Sequence, residues 1–223
     1  MTARPASTGV RGSTPVVVKL GGSLAESGRI TSVLKIVSGA RKPCVVVPGG
    51  GTFADAVRAA QAELAFSDAV AHRMALLAMH QTGLMLAALQ PRLCPVETLA
   101  AIRRALADGK IPVWLPLRLA EADRKIPVDW SITSDGLAAR LAERLGRAPV
   151  VLVKSCHVGR ATSLAALVRD GVADRTFATI VERARLPWWV LGAGDEGLLA
   201  EMLAALRDGG RRAPAARAIA RQR

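Results

Sequence analysis

Short runs of β-branched residues alternate along this chain with longer stretches of helical period. The run 16–18 (Val-Val-Val) and the run 44–47 (Cys-Val-Val-Val) each stop at a glycine-rich turn, and 112–115, 150–153 and 188–191 are segments of the same kind. Their apolar residues are continuous rather than alternating, as in strands buried on both faces. Residues 29–39, 52–65, 67–89, 96–106, 134–145 and 195–206 carry helical patterns, with Ser67–Asp68 as N-cap signal for the third and Gly146 as C-cap signal for the fifth. This alternation predicts a three-layer α-β-α sandwich around a largely parallel sheet, with function in the loops at the carboxyl ends of the strands. One domain is expected over 15–206, between a flexible leader (1–14) and a basic flexible tail (207–223). The helix over 67–89 has little polar face, which predicts central burial or a second subunit packed on it.

The turns after the first two strands carry the chemistry. Lys19-Leu20-Gly21-Gly22-Ser23 follows the first, and Pro48-Gly49-Gly50-Gly51-Thr52 follows the second and opens a helix. Adjacent glycines let bare backbone N–H groups approach an anion, and Lys19 adds a point charge. Two such turns on neighbouring units can face one cleft, one holding a phosphate donor and the other an acceptor. The backbone N–H groups of Gly21, Gly22, Gly49 and Gly50 are the expected cradle. Thr133-Ser134-Asp135 opens the fifth helix, where Asp135 can orient Lys19, and Lys154-Ser155 ends the next strand with a second cation. The stretch 192–197 reads G-x-G-x-x-G, but no further strand follows it, so it is expected to be an ordinary strand-to-helix turn. A P-loop signature is absent from the sequence.

Composition narrows the classes without changing this reading. Of the 223 residues, 51% are hydrophobic, which supports a packed core and argues against wholesale disorder. No apolar run reaches the roughly 20 residues of a membrane helix, and no signal peptide is indicated. The three cysteines, Cys44, Cys94 and Cys156, are far apart, which fits reducing cytoplasm better than disulfides or structural zinc. The net charge of +13 is concentrated at the ends, above all in Arg207, Arg211, Arg212, Arg217, Arg221 and Arg223. A solvated tail is therefore expected rather than a nucleic-acid surface.

The order K-x-G-G-S, G-G-G and T-S-D, at Lys19–Ser23, Gly49–Gly51 and Thr133–Asp135, resembles the amino acid kinase superfamily. The resemblance covers most of 15–206 and implies the carbamate kinase-like fold, a cytoplasmic ATP- and Mg²⁺-dependent phosphotransferase, a small anionic substrate and a homo-oligomer. Uridylate kinases carry Asp-His where this chain has Ala71-His72, and isopentenyl phosphate kinases carry a histidine absent from 51–55. The stretches 48–58, 66–75 and 130–135 look more like the branch that phosphorylates aminomethylfuran-methyl phosphates in methanofuran biosynthesis, and its methylotroph relatives. Some relatives have an acidic residue where this chain continues Cys156–His157.

By this resemblance Lys19, Lys154 and Asp135 are catalytic, and Gly21, Gly22, Ser23, Thr133, Ser134 and Ser155 bind the nucleotide phosphates. Gly49, Gly50, Gly51, Arg58, His72 and Arg73 hold the acceptor phosphate, and no protein ligand to the metal is assigned. His80 is expected to be structural. Two alternatives stay open: a kinase forming acyl phosphates or acting on another small phosphomonoester, and a non-catalytic nucleotide- or anion-binding member of the fold.

Overall fold

The computed structural model describes residues 14–159 and 163–205. Residues 1–13 of the expected leader and the whole basic tail lie outside them. The strands are β1 (Val16–Leu20), β2 (Cys44–Pro48), β3 (Leu93–Val96), β4 (Ile111–Trp114), β5 (Val150–Val153) and β6 (Trp188–Leu191). The helices are α1 (Ile30–Gly39), α2 (Gly51–Leu64), α3 (Asp68–Ala88), α4 (Leu99–Ala107), α5 (Leu117–Glu121), α6 (Ser134–Arg144), α7 (Leu164–Arg169), α8 (Arg175–Ala184) and α9 (Glu196–Ala205).

The six strands form one sheet in the order β3-β4-β2-β1-β5-β6, and every pair in it is parallel. Its valine-rich central strands are buried on both faces, which explains their unbroken apolar runs. One hydrophobic cluster joins Val17, Val45 and Leu152 to α4, α6 and α8. The other joins Val16, Val18 and Val46 to α1 and α9. These two cores make the three layers. The chain builds β2, β3 and β4 on one side of β1, then β5 and β6 on the other, so the connectivity switches sides at β1 and opens a crevice at the strand tips.

Two differences from the sequence reading have local causes. The helix expected from 96 starts at Leu99, where the Thr98 hydroxyl caps it by accepting from Ala101 N at 3.1 Å. Residues 93–96 form instead a four-residue edge strand, a place where Pro95 is tolerated. The stretch between β5 and β6, unassigned in the sequence reading, holds α7 and α8. Ser67 caps α3 as expected, and Gly146 lies just past α6 with φ +82°.

The long helix α3 is neither wholly buried nor polar on its outside. It buries Leu76, Met79 and Leu86, while Val70, Met74, Leu77, Leu84 and Met85 stay at least one-third exposed, Leu84 at 53%. Among the described residues no helix is long and apolar enough to cross a membrane.

Candidate active site

Strand alternation puts Lys19 on the same face of β1 as Val17, toward α6. Asp135, second residue of α6, meets it there: Lys19 Nζ lies 2.8 Å from Asp135 Oδ1, and Lys154 Nζ donates to Oδ2 at 2.5 Å. Lys19 and Asp135 are 5% and 3% exposed, so this is a buried cation–anion–cation row across the tips of β1 and β5. Burial holds the Lys19 pKa below its ordinary value, against the raising pull of Asp135 and with the help of Lys154. Burial acts to raise Asp135, but the two ammonium groups outweigh it and hold the carboxyl below its ordinary range.

The two glycine turns do more than face one cleft; they touch. A Cβ on Gly22 would stand 2.1 Å from Gly51 N, and one on Gly49 2.4 Å from Gly22 N. Glycine is thus required by backbone-to-backbone packing before any ligand arrives, and Gly51, at φ +54°, also needs it for conformation. This corrects the expected cradle. Gly21 N donates to Val153 O at 2.9 Å and Gly49 N to Leu20 O at 2.8 Å, so both N–H groups are committed to prolonging the sheet. Gly22, Ser23, Gly49, Gly50 and Gly51 line the cleft; Gly21 does not.

That cleft, of about 400 Å³, brings Lys19, Lys154, Asp135, Thr133 and Ser134 together with Arg58 and His72. Ser155 lies outside the lining but ties the two loops through a 2.6 Å contact between its hydroxyl and that of Ser23. Arg73 is corrected: it points out of the cleft and pairs with Glu121 at 3.3 Å, largely exposed. His72 lines the cleft, while Arg73, about 100° further round α3, turns to the outer surface. His72 is buried, and burial lowers its pKa against contacts with Asp129 that raise it, so the ring enters neutral pH uncharged. Arg58, its guanidinium carbon 4.2 Å from the centre of the Trp130 ring and its Nη1 3.1 Å from Asp55 Oδ1, is the cation on this side. His80 has the structural role expected of it: its Nε2 accepts from Leu117 N at 3.0 Å.

Three contributors were not read from the sequence. Trp130 walls the cleft, its indole N–H held by Gln61 Oε1 at 2.6 Å. Arg29 clamps the tips of β5 and β6, donating to Lys154 O at 3.0 Å, Gly192 O at 3.1 Å and Glu196 Oε1 at 2.6 Å. Asp174 also lines the cleft and caps α8; the spacing Phe177, Ile180, Val181, Ala184 behind it was the available signal. The turn at Gly192 is closed internally, its N–H donating to Asp195 Oδ2 at 2.8 Å, as suits an ordinary strand-to-helix turn. The Cys44 thiol is pushed up to about 12 by burial, which suits packing and not nucleophilic chemistry.

Among the described residues no group of three His, Cys, Asp or Glu side chains is arranged to hold a metal ion. Both Asp135 oxygens face lysines and Asp174 is occupied by helix donors. Lys19, buried at its glycine turn, and the half-buried Lys154 at the tip of β5 do suit a nucleotide's phosphate chain.

The sequence model of the amino acid kinase family matches residues 14–157. A [5-(aminomethyl)furan-3-yl]methyl phosphate kinase of Methanocaldococcus jannaschii is 28% identical over 138 residues, which cover 61% of this chain and 63% of that relative. The match thus spans less than two thirds of that protein. Among solved structures, the uridylate kinase of Archaeoglobus fulgidus superposes with TM-score 0.62 at 19% identity, covering 85% of this chain and 95% of its own. The isopentenyl phosphate kinase of T. acidophilum gives 0.55 at 15% identity, covering 85% and 95%. These likenesses carry the fold.

Proposed function

Because the chain belongs to the amino acid kinase family, we propose that it transfers the γ-phosphoryl of MgATP to a small anionic acceptor held between α2, α3 and Trp130. The observation that carries this is Asp135 joining Lys19 to Lys154 at the crevice where the sheet's connectivity changes sides. Two ammonium groups held on one carboxylate are preorganised for charge that develops on a phosphoryl group in flight. The backbone at Gly22 and Gly50, unlike that at Gly21 and Gly49, is left to approach the phosphates. Mg²⁺, carried by the nucleotide's phosphates, supplies further neutralisation there.

The acceptor we favour is an aminomethylfuran-methyl phosphate, converted to its diphosphate in a cytoplasmic one-carbon cofactor pathway. The homologous kinase supports it, and so does a cleft that sets Arg58 beside Trp130 over an apolar floor of Ala75, Leu76 and Met79. A bond forms from an acceptor phosphate oxygen to the γ-phosphorus while the bond to the ADP oxygen breaks. The attacking oxygen is already ionised, so no proton moves and no general base is needed. Phosphorus NMR with MgATP and this acceptor, beside Lys19→Ala, tests the reading. A diphosphate signal in the wild type alone is expected. Failure to phosphorylate this or any other small phosphomonoester would sink it.

Acceptor affinity separates Arg58 from Arg73. Losing a charged hydrogen bond to the acceptor phosphate predicts about a tenfold or greater rise in acceptor KM for Arg58→Ala. Arg73→Ala should leave it unchanged, as steady-state kinetics will show. Rate against pH reports Lys19. Because burial lowers its pKa, raising the pH removes its charge before an ordinary lysine titrates, and turnover should fall there. In Lys19→Arg the residual activity should lack that alkaline limb, since a guanidinium keeps its proton.

The apolar outer stripe of α3 is the proposed contact with a second copy. Leu77→Glu combined with Leu84→Glu should convert a dimer or higher oligomer to monomer in light scattering. A wild-type protein already monomeric at micromolar concentration removes the proposal.

A further inference from the structure

Asp174 lies 39 residues beyond Asp135 in sequence, yet its carboxylate ends two helices at once. Oδ1 accepts from Phe177 N at 2.5 Å, which caps α8. Oδ2 accepts three bonds from the start of α6: Thr133 N at 2.9 Å, Thr133 Oγ1 at 2.7 Å and Gly136 N at 2.9 Å. The first N–H groups of a helix have no partner within it, and a nearby side chain usually serves them. Here a distant one does, at the positive ends of two helix dipoles.

The residues it binds bracket Asp135. Thr133 gives its hydroxyl proton to Asp174 and accepts, more weakly, from Asp135 N at 3.4 Å. On the other side, Gly136 leaves room for the carboxylate, since a Cβ there would stand 3.0 Å from Asp174 Oδ1 and 2.8 Å from Ile132 Cγ1. Thr176 Oγ1 fastens the same segment from α8 by donating to Ser131 O at 2.8 Å. Burial and the Asp135 charge push the Asp174 carboxyl above its ordinary range, so the site is costly to keep ionised and is held by its donors.

We propose that Asp174 is a positioning residue for phosphoryl transfer, locking the first turn of α6 so that the Asp135 carboxylate stays between Lys19 and Lys154. The catalytic meaning of that geometry rests on the kinase reading above; the lock itself does not. Asp174→Asn keeps an oxygen for Phe177 N but turns an NH₂ toward the Thr133 and Gly136 donors. Thr133→Val keeps the carboxylate but removes one of its three bonds, together with the weak one that the hydroxyl accepts from Asp135 N.

Amide exchange by mass spectrometry, without substrate, reads the lock directly. In both variants exchange over 133–137 should rise by about tenfold, the effect of one net hydrogen bond, while α1 and α9 stay protected. Turnover then reads the consequence. Displacing a catalytic group by about 1 Å costs on the order of 100-fold, so kcat should fall by that order in Asp174→Asn with both KM values nearly unchanged. Adding Asp174→Asn to Asp135→Asn should cost nothing more, because both act through one group. Thr133→Ser should restore what Thr133→Val loses. Unchanged exchange over 133–137, an unchanged kcat, or losses that multiply in the double variant would each overturn the proposal. Should Asp174→Asn fail to fold, the Thr133→Val and Thr133→Ser pair decides alone. A wild type without turnover would end the kinase reading, and exchange would still decide the lock.

Discussion

Asp135→Ala is expected to abolish phosphoryl transfer and to weaken the fold, the larger loss being catalytic. The wild-type carboxylate sits between ammonium groups 2.8 and 2.5 Å away in a buried site. Without it two like charges face each other with little water to screen them. Breaking a buried ion pair by removing one partner costs roughly 3–5 kcal/mol. The lysines can relieve that cost by shedding a proton, and Lys19, already lowered by burial, goes first. A neutral amine no longer balances charge on the moving phosphoryl group, and each such donor lost costs about 10²–10³ in kcat. Turnover should therefore fall by at least that factor.

This substitution should remove the rise of stability with pH in the acid range and enlarge the rise in the alkaline range. In the wild type Asp135 is held below its ordinary pKa, so its contribution is present above the unfolded carboxyl pKa and fades as the pH falls through the folded one. In Asp135→Ala the Lys19 ammonium, already lowered by burial, loses its counter-charge and dominates. The unfolded chain then binds more protons than the folded one, and stability rises as the pH climbs from neutrality toward the ordinary lysine range. Urea titrations of both proteins across that range check the two slopes. An Asp135→Ala protein as stable as the wild type, with no alkaline gain, would show that the lysines are solvated and not paired.

Much of this site could be read from residue type and place in the chain. Lys19, Asp135 and Lys154 each sit where a strand ends or a helix begins, and such places in a parallel sheet converge on one edge. What sequence could not supply was which backbone groups were already spoken for. Gly21 and Gly49 look as available as Gly22 and Gly50, until register shows their N–H groups completing bonds to β5 and β1. The acceptor side was legible by half. Arg58 and Arg73 are alike in composition, and only helix phase separates a cation over Trp130 from one on the surface. Asp174 escaped because its partners lie about 40 residues away, beyond any local capping motif. The edge strand β3 escaped because a proline in a four-residue run reads as a break.

Gly22→Ala should be nearly as damaging as loss of Asp135, for a reason that involves no charge. The added methyl would lie 2.1 Å from Gly51 N and 2.3 Å from Gly51 Cα. Attractive contact between such atoms begins near 3.5 Å, so the overlap exceeds an ångström. Both obstacles are backbone, and no side chain can swing aside. The turn after β1 and the start of α2 must separate, while α2 is anchored below by Thr82 Oγ1, which donates to Gly50 O at 3.3 Å. Overpacking of this kind costs about 1–3 kcal/mol. A donor phosphate and an acceptor held on the two turns would then part by a similar distance, which costs about 100-fold in kcat. Gly39 supplies the control: it ends α1 without positive φ, and a Cβ there meets nothing within 4 Å. Gly39→Ala should therefore be neutral or stabilising by up to about 1 kcal/mol, the helix-propensity gain. Thermal unfolding and single-turnover rates for the two alanine variants separate packing from glycine flexibility. If Gly22→Ala behaves like Gly39→Ala, the turns do not touch, and the glycines serve only the approach of a ligand.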